Sequence, residues 1–479
     1  MRVRIQVVVE SDAGGSPVVQ EVATLERGPL QPEGLGLTLA EAKDLLRGVQ
    51  ETLVAHQVAE FVTQQVCCPD CGRPRPRKGR HEIVYRTLFG KLRLDSPRLY
   101  ACPCQQRDRA SASPLAELFP ERTAPELTYL ETKFAALMSY GLTVELLAEI
   151  LPLGVELNTT AVRRHVRNVA ERLEGELGAE QPHFIEGCQR DWNQLPRPDP
   201  PLTIGLDGGY VHARYPQSRT EGSFEVIVGK VLKADGDPIC FAFVPNVDTK
   251  PKRRLFKALK SQGLQMNQRV EFLTDGGDTV RELPLYLAPE SEHWLDWFHI
   301  TMRLTVMGQM IKGLAAESSP GAKPGDDEDG RLDATSMDKQ LESLKWHLWH
   351  GNVYRALQIV EDLEWDLESP AAPSERAKKL LKAVHEFRHY IEANQSSIPN
   401  YGDRYRHGEA IATSFAESTV NQVVSKRMVK KQQMRWTERG AHRLLQVRTR
   451  VLNEDLRATF QGWYPGMRTD PEPAAEEAA

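Results

Sequence analysis

The stretch LTIGLDGGYVHAR, residues 202–214, places Asp207 directly after a short apolar run of strand-forming residues. The stretch RVEFLTDGG, residues 269–277, repeats this arrangement around Asp275, and two glycines follow the acid in both. Because β-branched and aromatic residues favour strands, the pattern predicts two strands that each end at an aspartate. A third acid, Glu417, lies in the later segment SFAESTVNQVV, whose apolar residues recur at helical spacing.

Two aspartates on neighbouring strands and a glutamate on a later helix can converge on a pair of divalent metal ions. Such a pair supports in-line attack on a phosphodiester, and carboxylate oxygens suit Mg²⁺ or Mn²⁺ better than zinc. The paired glycines should leave room beside each aspartate for a metal and a phosphate. Three other acids compete for the second and third positions: Asp278, Glu282 and Glu409.

The order of patterns along the chain predicts several domains. From residue 202 it runs as three strands, a basic helix, a strand, a helical stretch and a further strand, which is typical of an RNase H-like α/β domain. The Pro-rich stretch RPDPP precedes it. The predicted domains are 1–66, a β-hairpin and a helix; 67–110, a zinc ribbon that binds DNA; 111–196, a helical, helix-turn-helix-like DNA-binding domain; 202–456, the RNase H-like catalytic domain with a helical insertion at about 300–405; and 466–479, a disordered acidic tail.

The helix of the first predicted domain has a clear start. Thr38 is followed three residues later by Glu41, which is the pattern of a capping box. The helix is expected to run from there to about Gln65.

The charge distribution separates basic regions from acidic ones. The 479 residues carry a net charge of −5. Nevertheless, residues 73–109 hold eleven Lys and Arg against three acids, and residues 426–450 hold nine against one. Local basic patches, rather than net charge, determine phosphate binding. No apolar run is long enough to span a bilayer, and no signal sequence is evident, so we expect a cytoplasmic protein without a membrane partner.

The cysteines form two compact pairs, Cys68 with Cys71 in CPDCG and Cys102 with Cys104 in CPC. Four thiolates can complete a tetrahedral zinc shell, and in a reducing compartment metal binding is favoured over disulfides. The segment between the pairs predicts a basic hairpin that turns near Gly90, so the layout is that of a structural zinc ribbon. Cys67 could replace Cys68, and free thiols are the alternative.

Two helical segments, GLTVELLAEILPL and NTTAVRRHVRNVAERLEGEL, are joined by a short break around Gly154. In the second segment the apolar stripe falls on Val162, Val166, Val169 and Leu173, and Asn158 or Thr159 is a candidate cap. The opposite face is expected to contact DNA as a recognition helix, although a helical hairpin with a solvated basic face is the alternative. Its residues are Arg163, Arg164, Arg167 and Asn168.

With these residues placed, the chain resembles the DDE transposases of bacterial insertion sequences, most closely the ISKra type and more distantly the Mutator-like enzymes. The matching motifs are CPDCG, GLDGGYV, LTDGG, DWFHI and the late AEST segment followed by KKQQMRW. In these relatives an Asp or Cys, two residues and a His follow the second acid, and here that motif is Asp296 to His299. A helical insertion between the second acid and the glutamate is also a family trait.

The resemblance implies that Asp207, Asp275 and Glu417 bind catalytic metal and that His299 assists near them; a packed core histidine is the alternative. It further implies cleavage at terminal inverted repeats, strand transfer into target DNA by a homo-oligomer, and a prokaryotic, nucleoid-associated enzyme. Basic residues after the glutamate are expected to hold DNA near the cut: Lys426, Arg427, Lys430, Lys431, Arg435 and Arg439. An exposed Trp436 could stack on a base, and a core tryptophan is the alternative. The competing hypotheses are a non-catalytic DNA-binding regulator and a nuclease that cuts without joining.

Overall fold

The computed structural model describes residues 1–10, 16–104, 111–153, 157–215, 222–233, 236–277, 291–317, 333–368, 374–429 and 434–467. These residues divide into two compact units. The first unit comprises Met1–Glu171 with Glu454–Ala479, and the second comprises Arg172–Asn453. Within the part of the chain that the structure describes, no helix is long and apolar enough to cross a membrane.

The first unit opens with two antiparallel strands, β1 (Arg2–Val9) and β2 (Val18–Glu26), followed by the long helix α1 (Leu39–Gln65). The Thr38 side chain accepts a hydrogen bond from the backbone of Glu41, whose carboxylate accepts one from the backbone of Thr38. This capping box satisfies donors that a helix start otherwise leaves without partners. The predicted helix is confirmed in both its start and its end.

A basic hairpin follows, made of β3 (Arg77–Thr87) and β4 (Gly90–Tyr100), and β5 (Ser111–Ala112) extends it. The strands pair from Arg77 with Leu99 to Thr87 with Gly90, which confirms the predicted turn near Gly90. The hairpin buries its inner face against α1 and the short helix α2 (Pro114–Leu118). The buried residues of this cluster are Ile83, Leu92, Leu94 and Leu115.

Helices complete the first unit: α3 (Pro125–Leu137), α4 (Tyr140–Ile150) and the first part of α5 (Thr159–Glu176). The Asn158 carboxamide accepts a hydrogen bond at 2.9 Å from the backbone of Ala161, so Asn158 caps α5. The predicted stripe of Val162, Val166, Val169 and Leu173 is buried. Gly154, where the break between α4 and α5 was expected, lies outside the described residues. The segment returning to this unit carries α15 (Leu456–Trp463), whose Phe460 packs edge-on against Tyr129.

The second unit begins with the end of α5 and the short helix α6 (Gln189–Trp192), and a five-stranded sheet forms its centre. The sheet order is β10-β9-β6-β7-β8. Strand β7 runs antiparallel to β6 and β8, whereas β9 runs parallel to β6 and β10. The central strands are apolar on both faces, which indicates cover on both sides. The strands are β6 (Leu202–His212), β7 (Ser223–Leu232), β8 (Ile239–Phe243), β9 (Val270–Thr274) and β10 (Ser291–Leu295), with helix α7 (Pro251–Ser261) between β8 and β9.

A helical region follows β10, as the sequence predicts. Leucines and other apolar residues that recur at helical spacing, such as Leu344, Leu363 and Phe387, are fully buried and form one continuous core. The helices are α8 (Trp297–Glu317), α9 (Ala334–Trp349), α10 (Val353–Glu368), α11 (Glu375–Ala393) and α12 (Tyr401–Arg406).

The chain returns to the sheet through α13 (Ser414–Val420), which carries Glu417 and continues as a π-helix over Asn421–Val429. Carbonyls of the π-helix bond to Arg448 of helix α14 (Glu438–Leu452): its guanidinium donates at 2.7 Å to Val423 and at 2.5 Å to Gln422. Wide π turns are rare and are frequently found at functional sites. The periodicity of the valines does not reveal this change of winding.

Candidate active site

Asp207 lies in the middle of β6, not at a strand end as its sequence pattern suggests, because the strand continues to His212. Its carboxylate is almost fully buried and accepts a hydrogen bond at 2.8 Å from the backbone N–H of Gly208. A Cβ at Gly209 would lie 2.9 Å from Cγ1 of Val420. This glycine therefore lets the end of α13 pack directly on β6, in addition to any room that it leaves for a ligand.

Asp275 directly follows β9. Parallel pairing places Leu206 beside Thr274, so Asp207 and Asp275 are neighbours across the sheet. The Asp275 carboxylate accepts a hydrogen bond at 3.0 Å from the backbone of Gly277. The intervening Gly276 has φ +81, a conformation that favours glycine, and a Cβ there would collide with its neighbours. The first glycine after Asp275 is therefore a requirement of the backbone.

His299 lies in the first turn of α8 and is held by Asp296. The Nδ1 atom of His299 is 2.9 Å from a carboxylate oxygen of Asp296, which is completely buried. The same carboxylate accepts hydrogen bonds from the backbone of Phe298 at 2.7 Å and from the hydroxyl of Thr413. Asp296 thus joins the start of α8 to the residue that precedes α13. The DWFHI motif points to this Asp, whereas no local sequence signal identifies Thr413.

These elements bring three side chains together. One ligand atom from each of Asp207, Asp275 and His299 lies within 4.8 Å of the others. Glu417 is not a member of this group and is exposed on α13, but it is near enough for its charge to affect Asp207. The competitors Asp278 and Glu282 lie outside the described residues, and Glu409 is 3.1 Å from Arg404 in an ion pair.

The electrostatics of the group are those of an anionic, partly desolvated site. Burial raises the pKa of Asp207 to about 6; repulsion from Asp275 and Glu417 adds to this, and the charge of His299 opposes it. Burial disfavours the charged form of His299, but the hydrogen bond and charge of Asp296 outweigh that effect and raise the pKa of His299. A site of this kind gains from a divalent cation, because the cation offsets the repulsion between carboxylates.

The four cysteines of the two predicted pairs meet beside the hairpin. Their sulfurs lie within 4.8 Å of one another, with separations of 3.5 Å for Cys68 to Cys104 and 3.4 Å for Cys71 to Cys102. Sulfurs bound to zinc at about 2.3 Å would be roughly 3.8 Å apart, and a disulfide would need about 2 Å. The geometry therefore fits a zinc ion and excludes disulfides in this cluster, where all four thiols are free.

Backbone contacts also suit thiolate ligands. Burial raises the pKa of Cys68, but N–H groups of Asp70 and Cys71 outweigh it and lower the pKa to about 7. The knuckle is closed by a hydrogen bond at 2.9 Å from the backbone of Gly72, at φ +68, to the carbonyl of Cys68. Cys68, rather than Cys67, is the residue that faces the other three sulfurs.

A further group of potential ligands is explained by an ion pair. Glu174, Asp248 and His442 lie close together, but Arg254 donates to Glu174 and to Asp248, each at 2.8 Å. A buried guanidinium already neutralises these carboxylates, so the cluster supports packing rather than metal binding. His442 also contacts Glu174, with its Nε2 atom 3.5 Å from the carboxylate.

The residues predicted to contact DNA differ in their exposure to solvent. On α5, Arg163, Arg164, Arg167 and Asn168 are all exposed. After Glu417, the exposed residues are Lys426, Arg435 and Arg439. By contrast, Arg427 is buried with its guanidinium 5.3 Å from the ring centre of Trp436, which is itself buried. Trp436 is therefore a core residue, and Lys430 and Lys431 lie outside the described residues.

No protein-family model matches the chain, and no curated protein matches it. Among solved structures, the chain is similar to the Drosophila P element transposase strand transfer complex, with 10% sequence identity and a TM-score of 0.27. The similarity covers 70% of this chain and 93% of the other. A similarity at this TM-score carries no information about function, so the chemistry of the site rests on the residues described above.

Proposed function

We propose that this protein is a DDE transposase of an insertion sequence, with an RNase H-like catalytic domain that cuts and joins DNA. The observation that carries the proposal is the meeting of Asp207, Asp275 and His299 at the centre of the sheet, with Glu417 within electrostatic reach. The sheet order, with β7 as the antiparallel strand and a helical region between the second acid and the glutamate, also supports it.

In this proposal Asp207, Asp275 and Glu417 hold Mg²⁺ or Mn²⁺. When bound, the metal ions activate the attacking oxygen and stabilise the leaving oxygen of the phosphodiester. Asp296 orients the imidazole of His299 and favours its protonated form, so that His299 presents positive charge beside the carboxylates. In the proposed chemistry, water first attacks the phosphodiester at the element end and frees a 3′-hydroxyl. That 3′-hydroxyl then attacks a phosphodiester of the target DNA.

The first unit would supply the contacts to the element ends. The Cys68, Cys71, Cys102 and Cys104 cluster would hold a structural zinc, since four sulfurs leave no position for water. The exposed basic face of α5 suits phosphates and a major groove. The proposed partners are double-stranded terminal repeats and target DNA, and the proposed acting form is a homo-oligomer in a prokaryotic nucleoid.

Cleavage and joining of labelled element-end DNA with Mg²⁺ or Mn²⁺ tests the activity class. Nicked and joined products support a transposase, nicked products without joining support a nuclease, and binding without products supports a regulator. Asp275→Ala should abolish both products because it removes a carboxylate ligand. Products that persist unchanged in this variant would contradict the proposed site.

A further inference from the structure

A cavity of about 540 Å³ opens beside the second acid of the site. Helices α8 and α11 line it, and Gly276, the residue after Asp275, contributes to the wall. Its volume is in the range that proteins use to bind small ligands or single groups of larger ones. None of the chemistry proposed above uses this cavity.

Arg303 of α8 is the notable cation in its wall. The guanidinium lies 4.2 Å from the centre of the Tyr390 ring, and the side chain is exposed. Among the residues that the structure describes, none accepts a hydrogen bond from Arg303 or forms an ion pair with it. The cation–π contact with the ring holds the guanidinium beside Tyr390, and its planar set of five N–H donors is available to a ligand.

Tyr390 connects this guanidinium to the catalytic strand. Its hydroxyl donates a hydrogen bond at 3.0 Å to the backbone carbonyl of Asp275. The Tyr390 ring thus contacts Arg303, and its hydroxyl contacts the main chain of a proposed metal ligand. An anion bound by Arg303 would therefore lie close to the reacting phosphodiester.

The other charges in the wall leave Arg303 as the main attraction for an anion. His385 is 3.6 Å from Glu364 and 3.7 Å from Glu368, and His389 is 3.9 Å from Glu392, so acids already neighbour both imidazoles. Glu386 would repel an anion, but Lys382 lies 3.8 Å from its carboxylate and offsets part of that charge. A planar guanidinium with available donors matches the oxygens of a phosphate.

We propose that this cavity binds a backbone phosphate of the substrate DNA strand next to the scissile phosphate, with Arg303 as the phosphate ligand and Tyr390 as its positioning residue. The inference rests on the proposed function, because it needs a DNA strand across Asp207 and Asp275. It adds a subsite that would hold the strand in register with the metal ligands.

The test measures DNA binding in an Asp207→Asn background, so that it does not depend on cleavage. The probe is a fluorescent duplex with a single-stranded 3′ overhang, titrated at several salt concentrations against Arg303→Ala, Arg303→Lys and the control Arg355→Ala. Arg355 is an exposed arginine on α10 that is bonded to Gln358 at 2.9 Å and does not line the cavity.

Arg303→Ala should bind about tenfold more weakly at low salt, because a charge-assisted hydrogen bond is lost. Its salt slope should fall by about 0.7 to 0.9, the value for one phosphate contact. Arg303→Lys should keep most of the slope, since the charge remains. Arg303→Ala that matches Arg355→Ala in both affinity and slope would overturn the proposal.

A second arm separates a strand phosphate from a free nucleotide. Deoxynucleoside triphosphate is titrated calorimetrically without DNA. Binding that disappears in Arg303→Ala would assign the cavity to a free nucleotide and overturn the strand proposal, whereas absence of binding supports it. The binding assay does not depend on cleavage. If the protein never cuts DNA but Arg303→Ala still lowers the salt slope, the phosphate subsite is supported and only the proposed function fails.

Discussion

Asp296 and His299 are joined by a hydrogen bond of 2.9 Å between a fully buried carboxylate and the Nδ1 atom of a ring that faces two further acids. This bond fixes the ring and favours the imidazolium, since a carboxylate partner raises the pKa of His299. His299 lies half-buried beside Asp207 and Asp275, and its bond to Asp296 favours the charged form of the ring.

Asp296→Asn tests this arrangement. The amide keeps the size of the carboxylate but removes its charge, so the pKa of His299 should fall relative to the wild-type pKa. The proton resonances of His299, followed by NMR during a pH titration, report the pKa directly. Cleavage should fall about tenfold to 100-fold, the range for a lost positioning contact of roughly 1.4 to 3 kcal/mol. An unchanged pKa would show that Asp296 does not control the ring.

Asp207→Asn should stabilise the metal-free protein while it abolishes cleavage. The pKa of Asp207 is raised to about 6, so the folded state binds this proton more tightly than the unfolded state. Stability from this group is therefore present below the unfolded pKa and is lost as pH rises through about 6. The variant avoids that loss and should be more stable by about 1 to 3 kcal/mol at pH 8.

Urea denaturation of both proteins at pH 4 and at pH 8 measures the difference. The gain should be larger at pH 8, because the aspartate is largely ionised there. Glu342→Gln is the matched control, since this exposed glutamate lies outside the group of ligand atoms. A gain of equal size at both pH values would contradict the assigned electrostatics.

The cysteine cluster should contain one zinc ion per chain. Cys68→Ser or Cys102→Ser should lose the metal and reduce the melting temperature, because zinc binding contributes folding free energy to such sites. Metal content measured by plasma mass spectrometry checks this, and Cys67→Ser should retain zinc. Retention of zinc in Cys102→Ser, or its loss in Cys67→Ser, would show that the ligand set is wrong.

Gly209→Ala should destabilise the contact between β6 and α13. A Cβ at this position would lie 2.9 Å from Cγ1 of Val420, which is stiff because it is β-branched. Overpacking of this kind costs about 1 to 3 kcal/mol. Chemical denaturation measures the cost, and Val420→Ala in the same chain should recover most of it. A double variant that is no more stable than Gly209→Ala would mean that the strain lies elsewhere.

The sequence predicts those features that depend on local patterns. The alternation and apolar runs around Asp207 and Asp275 identify their strands, and the spacing of the four cysteines identifies the cluster. The pattern misplaces Asp207 at a strand end, because the two glycines after it resemble a turn although they continue the strand. Here Gly209 allows the close approach of a helix that is distant in sequence.

Features that depend on distant packing are not available from the sequence. Thr413 and Asp296 are 117 residues apart, and only the fold brings the hydroxyl to the carboxylate. Arg427 lies in a basic segment that suggests DNA binding, yet it is buried and packs over Trp436 in the core. The buried pair of His165 and Glu131 likewise joins two helices, α5 and α3. His165 lies in a basic segment and Glu131 in a largely apolar one, so neither segment predicts the contact.

The most direct test of the central claim is the Mg²⁺-dependent cutting and joining of element-end DNA by three charge-removing variants, Asp207→Asn, Asp275→Asn and Glu417→Gln, with Glu409→Gln as control. We expect each of the three to lose both reactions by about 1000-fold or more, equivalent to about 4 kcal/mol of transition-state stabilisation. The control should stay close to wild type. Full activity in any of the three would contradict the assignment of these acids to the catalytic metal site.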